Sequence, residues 1–289
     1  MSSPALVLVA HGTRSTRGVE MIAALAEAVA RELGSEFAGG TAEFVAASLP
    51  ETGAGAAFGA ASASSRADLA PDVVSGARSV TDFGTAAAAP RVRTAFVDVL
   101  GPSPAEVLRD LEAVPAVVIP AFLASGYHVY QDVPREVAAS AHTAVAVTRA
   151  MGPDPALAAV MRMRLRAAGW RPGDAVVFAA AGSSDSRARE DVRRAADLLA
   201  EQIAAPVRLA YIATGEPRVP EVVARARAAG ARRVFIASYL LAHGLFHERL
   251  HAAGADGVAE PIGVHPAVVR LLVDRYRTAA DTLAAVRVA

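Results

Sequence analysis

An α/β fold built twice is what this sequence predicts, and three observations carry that reading. Short apolar, β-branched runs alternate with longer stretches of helical period. The runs are apolar on both faces, as strands covered by crossover helices must be, so the sheets should be parallel. The motifs of the first half then return in the same order in the second.

Taken in chain order, strands are expected at 6–10, 93–99, 116–123 and 144–150, then at 175–181, 207–213, 233–240 and 257–262. Helices should fill 18–34, 103–113, 133–139, 155–169, 186–203, 219–230, 246–253 and 266–283. In the first of these Ile22, Leu25, Ala26, Val29 and Leu33 fall on one face, which marks it as a helix laid on a sheet.

The repeat is explicit. "AFVDVLGPSPAEVL" from Ala95 aligns with "AYIATGEPRVPEVV" from Ala210, pairing Pro102 with Pro217 and Glu106 with Glu221. "AFLASGYH" from Ala121 aligns with "SYLLAHGLF" from Ser238, "MGPDPALAAVM" from Met151 with "IGVHPAVVRLL" from Ile262, and "LVAHGTRSTRG" with "FAAAGSSDSRA" from Phe178. The expected organisation is an N-terminal lobe at 1–168 and a degenerate C-terminal lobe at 174–289, joined by "AGWRPGD". A stretch at about 47–90, rich in Ala, Ser, Gly and Pro, has no counterpart in the second half. It holds too little apolar surface to offset the entropy of ordering it, so an irregular, flexible insertion is expected, with a lid as the functional alternative.

Composition narrows the chemistry. The 289 residues, 53% hydrophobic, suffice for two cores. Twenty-nine basic and 29 acidic side chains cancel, which makes neither nucleic acid nor an anionic membrane an expected partner. The chain has no Cys, so thiolate zinc, a thiol nucleophile and a cysteine-held iron–sulfur cluster are excluded on it. It also has no Lys, which excludes a Schiff-base lysine and the lysine of a P-loop. "MSSPALVLVAHGT" carries no basic leader and no other apolar run approaches a membrane span, so the expected location is the cytoplasm.

In a parallel sheet, ligands bind beyond the carboxyl ends of the strands. His11 closes the first strand and His128 follows the third, so residues remote in sequence can meet at one rim. Two neutral imidazoles there begin a site for a borderline divalent ion such as Fe²⁺, Co²⁺ or Ni²⁺. The bland alternative is a strand-end histidine bonded to backbone. The repeat argues for function, because Ala181 stands opposite His11 and Phe246 opposite His128, so the fold needs histidine at neither place. Asp98, after the second strand, is either a third ligand or partner of an imidazole, or a solvated carboxylate. In the second half "AHGLFHERLH" holds a literal HExxH at 247–251, the pattern of a zinc peptidase, but without an evident third ligand and in a foreign fold context. His247 could also face the cleft.

"LVLVAHGTR", "AFVDVLGPSPAEVL", "VVIPAFLASGYHVYQDVP" and "MGPDPALA" together resemble the CbiX/SirB group of class II chelatases, the sirohydrochlorin ferrochelatases and cobaltochelatases. The resemblance implies two similar α/β lobes with the active site in the cleft between them. It implies ATP-independent insertion of Fe²⁺ or Co²⁺ into sirohydrochlorin, with the divalent metal as substrate and no organic cofactor. The family's two metal-binding, catalytic histidines fall on His11 and His128. Its acidic residue after the second strand, often Glu, would be Asp98, one methylene shorter. Sirohydrochlorin carries many carboxylates, for which Arg14 and the backbone N–H groups around Thr13 and Gly126 are the expected partners, Arg14 serving equally well as an ordinary surface charge. Iron and cobalt suit the same imidazoles. The competing readings are a non-catalytic metal-delivery protein and the HERLH peptidase; a phosphohistidine transferase lacks the cationic neighbour, since Ala10 precedes His11.

Overall fold

The computed structural model describes residues 3–12, 15–34, 89–98 and 100–286; Thr13, Arg14 and nearly all of the insertion at 47–90 lie outside them. Two four-stranded sheets form, both wholly parallel. The first contains β1 (Ala5–His11), β2 (Val92–Val97), β3 (Ala116–Pro120) and β4 (Val145–Val147), in the order β2-β1-β3-β4. The second contains β5 (Ala175–Gly182), β6 (Val207–Thr214), β7 (Val234–Tyr239) and β8 (Gly257–Val258), in the order β6-β5-β7-β8. The duplicated α/β architecture expected from the repeat is therefore present, strand for strand.

Period-two burial on both faces explains why the sheets are parallel and interior. Leu6 and Leu8 of β1 enter one core with Val176 and Phe178 of β5. Val7 and Val9 face a separate core with Val107 and Leu108, while Val177 and Ala179 face a third with Val222 and Val223. The shared core runs beneath both sheets and binds the two halves together.

The helices are α1 (Thr16–Glu32), α2 (Pro104–Asp110), α3 (Val133–Ser140), α4 (Pro155–Ala167), α5 (Ser186–Ile203), α6 (Val219–Ala228), α7 (Leu245–His251) and α8 (Pro266–Val286). None of them is long and apolar enough to cross a membrane. Several begin at a side-chain cap: Ser103 and Glu106 form a capping box on α2, and Asp154 caps α4 by accepting from Ala156 N–H at 3.0 Å. Helix α4 packs on α5 and β7 of the second sheet, whereas α8 packs on α1, β3 and β4 of the first. The two halves thus exchange their last helices. Arg275 on α8 secures this exchange, donating to the carbonyls of Met151 at 2.7 Å and Arg149 at 3.1 Å just ahead of α4.

The third strand ends earlier than the apolar run suggested. Pro120 has no N–H to continue the ladder, and residues 121–127 turn toward the second half, where Tyr239 and Asp191 hold them.

His265 precedes helix α8 and caps it, its Nδ1 accepting from Ala267 N–H at 3.1 Å. Burial, with Arg164 and Arg270 adding to it, lowers the pKa of His265, and burial likewise lowers that of His247. A histidine depressed in the folded state stays neutral there while its unfolded counterpart takes up a proton, so stability is complete above about pH 6.5 and declines as pH falls below it. The metal-free protein should therefore melt progressively lower between pH 7 and pH 5.5. His265→Asn, which keeps a cap acceptor that does not titrate, should flatten the profile; an unchanged slope in a thermal melt series would remove His265 from the account.

Candidate metal centre

Topology brings the first-half residues together. In the order β2-β1-β3-β4 the chain leaves β1 on one side and returns on the other, so the crevice opens beyond the carboxyl ends of β1 and β3. His11 ends β1 and pairs in register with Val97, which sets it level with Asp98. His128 begins a single π-turn (His128–Asp132) that runs into α3. The Val133 N–H reaches back to the His128 carbonyl, the wide spacing of such turns, which recur at functional sites.

The rings of His11 and His128 lie edge to face, their centroids 4.8 Å apart. Rings this close can contribute nitrogens to one small cation. Each ring has one nitrogen fixed. His11 Nδ1–H donates to the Gly12 carbonyl at 2.6 Å, and His128 Nδ1–H donates to Asp132 Oδ2 at 2.6 Å. In the neutral rings both Nε2 atoms therefore keep their lone pairs.

The two anchors differ. Asp132 is 8% exposed and its other oxygen accepts from Arg135 at 2.8 Å, which makes a carboxylate–imidazole relay of the kind that orients metal-binding histidines. Asp132 escaped the sequence reading, although a carboxylate four residues beyond a histidine on a helical segment was a usable signal. Asp98 Oδ2 stands 3.5 Å from His11 Nε2. Its backbone adopts φ +81°, a left-handed conformation that Asp tolerates better than most residues and that often accompanies functional positions. A lone pair and a carboxylate facing each other are two acceptors, an arrangement suited to a cation or proton between them.

The second half holds the His128 segment in place. Tyr239 on β7 donates its hydroxyl to the Leu123 carbonyl at 2.6 Å, Asp191 on α5 accepts from Ser125 N–H at 2.7 Å, and the Arg187 guanidinium lies 4.5 Å from the Tyr130 ring centre. Burial, with Asp191 and Asp154 acting in the same direction, holds the Tyr239 phenol far above its ordinary pKa, so it remains a donor. No room is left at Gly152, where a Cβ would fall 2.3 Å from the Leu123 carbonyl oxygen and 2.6 Å from the Tyr239 hydroxyl of the second half. Gly126 serves a similar approach, its Cα facing Ala188 on α5, while its N–H is already given to Ala124. No sequence signal identified Tyr239 or Asp191, because their partners are backbone groups more than 60 residues away.

A cleft of about 810 Å³ separates the halves, lined by His11, His128 and Gly126 from one and by Ser183, His243 and His247 from the other. Its size suits a small-molecule ligand. Among the described residues, the tight cluster of three metal-binding side chains is His243, His247 and Glu260 in the second half, whereas His11 separately contacts His128 and Asp98. In the HERLH segment the rings of His247 and His251 are 5.0 Å apart, but His247 gathers with His243 and Glu260 rather than with the Glu248 and His251 of a zinc-peptidase pattern.

Comparison with known proteins identifies the fold and the family. A search of curated sequences finds no match. Among solved structures, SirB from Bacillus subtilis with Fe³⁺ superposes with a TM-score of 0.69 at 20% identity, covering 98% of this chain and 97% of that one. SirB from Bacillus subtilis subspecies spizizenii in complex with cobalt gives 0.63 at 19% identity, with 98% and 97% covered. The CbiX described as the terminal enzyme of siroheme biosynthesis in denitrifying bacteria gives 0.59 at 20% identity, with 95% and 99% covered. A family model named CbiX matches residues 64–168 and again 175–279, once in each half and together over most of the chain. The chain belongs to the CbiX family.

Proposed function

We propose that this protein inserts Fe²⁺ or Co²⁺ into sirohydrochlorin without ATP, with His11 and His128 binding the metal and accepting the pyrrole protons. The observation that carries the reading is the pair of adjoining imidazoles at the rim of the cleft, each with Nδ1 tied down, and with Nε2 of His11 facing the Asp98 carboxylate. Family membership supports it, as do the iron and cobalt named with the SirB structures.

The stoichiometry is simple: one divalent ion enters, two pyrrole N–H protons leave, and no electron is transferred. The site must first hold the ion and then give it up to four nitrogens, which favours few and borderline ligands over a closed thiolate cage. A ring nitrogen cannot hold metal and accept a proton at once. On this reading His11 and His128 bind the ion, Asp98 reaches it from β2, and each imidazole takes a pyrrole proton as its metal bond is released. Arg14, with the backbone around Thr13, is assigned to the substrate carboxylates, while Gly126 lines the cleft with its own N–H given to Ala124. The lobes at 1–168 and 174–289 then divide the labour, the first supplying ligands and the second bracing the loop that carries His128. The cytoplasm is the proposed setting.

Anaerobic incubation of the protein with sirohydrochlorin and either ion, followed by absorption spectroscopy, tests the reading. Metallation well above the protein-free rate is expected. Tight metal binding with no acceleration would overturn catalysis and favour a metal-delivery protein.

A further inference from the structure

The second half carries a metal-ligand cluster that the insertion chemistry does not use. His243 lies in the loop after β7, His247 on α7 and Glu260 just beyond β8, so three separate segments converge. One ligand atom from each lies within 4.8 Å of the other two. Two imidazoles and one carboxylate are a donor set for a borderline divalent ion, and they would leave one net positive charge on the bound ion.

The surroundings hold these groups in position. His243 Nε2 is 2.9 Å from Glu260 Oε2, and both side chains are about half exposed. His247 is 4% exposed, with Nε2 at 3.2 Å from the Ala259 carbonyl, next to Glu260 in the chain. A neutral ring that donates Nε2–H there keeps Nδ1 as its lone pair. His243 and His247 line the same cleft as His11 and His128. Gly244, beside His243, packs against Ser15, four residues beyond His11 in the chain, which brings this loop to the first half's side of the cleft.

We infer that His243, His247 and Glu260 form a second divalent-cation site, on the wall of the cleft opposite His11 and His128, that takes the same class of ion. The site arises in the half of the repeat where Ala181 and Phe246 replaced the first pair of imidazoles, and from ligand positions the first half does not share: His243 aligns with Ser125, not with a ligand. The inference goes beyond the insertion reading and does not depend on it.

Equilibrium dialysis of the full-length apoprotein against Co²⁺, without tetrapyrrole and under anaerobic conditions, tests it, with the visible d–d absorption recorded on the same samples. Two Co²⁺ per chain are expected. His243→Ala combined with Glu260→Gln should retain one ion, and His11→Ala combined with His128→Ala should retain the other, each with its own absorption spectrum. His243 and Glu260 are exposed enough for their replacement to preserve the melting profile, which is checked in parallel. A single Co²⁺ in the unaltered protein that survives the His243/Glu260 change would overturn the second site, as would two ions retained in that variant. Because no tetrapyrrole is present, failure of the insertion assay leaves this result standing on its own.

Discussion

His11→Ala and His128→Ala should each reduce sirohydrochlorin metallation by at least about a hundredfold, toward the protein-free rate, with melting temperature nearly unchanged. General-base loss alone is worth about 10² to 10⁴ in rate. On the proposed reading the same substitution also removes one of the two metal ligands. Stability should hold because the His11 side chain is 48% exposed and because Asp132, when it loses His128, keeps its ion pair with Arg135. Rates are compared at saturating sirohydrochlorin with both Fe²⁺ and Co²⁺. Unaltered turnover in either variant would remove that imidazole from the chemistry.

Asp132→Asn should weaken Co²⁺ binding at the His11/His128 pair by about 10- to 100-fold, the usual cost of losing the carboxylate behind a metal-binding imidazole. The argument concerns the proton. Asp132 only accepts, so His128 must carry its hydrogen on Nδ1 and keep the lone pair on Nε2. An amide of the same shape can donate instead, which allows the hydrogen to move to Nε2 and closes the ligand position. The amide oxygen at the Oδ1 position can still accept from Arg135, although the charge of that ion pair is lost. Cobalt titration gives the affinity, and nitrogen-15 NMR of the imidazoles gives the tautomer. Weakened binding with an unchanged His128 tautomer would show that Asp132 acts through shape rather than through the proton.

Eight strands and eight helices were legible in the sequence because each is a local matter. A strand buried on both faces needs an unbroken apolar run, as in Leu6 to Ala10, and an amphipathic helix needs Ile22, Leu25, Ala26 and Val29 on one side. Duplication and parallel pairing follow from the same patterns. Even the pair His11 and His128 was visible, since the repeat shows what the fold tolerates in their place and the parallel topology puts strand ends on one rim.

What stayed hidden depends on backbone groups meeting across long separations. Arg275 gives its protons to the carbonyls of Arg149 and Met151, Tyr239 to that of Leu123, and every residue has a carbonyl, so no side-chain pattern announces the partner. The exchange of α4 and α8 between sheets is of this kind, since apolar faces specify burial but not against which sheet. The sequence by itself therefore determined the elements, their order, their doubling and the two histidines at strand ends. Tertiary structure alone decided that the second half braces the His128 loop, that Asp132 sets its proton, and that His243, His247 and Glu260 gather from three segments, because hydrophobic burial is non-directional whereas hydrogen bonds and metal ligation require particular atoms at particular distances.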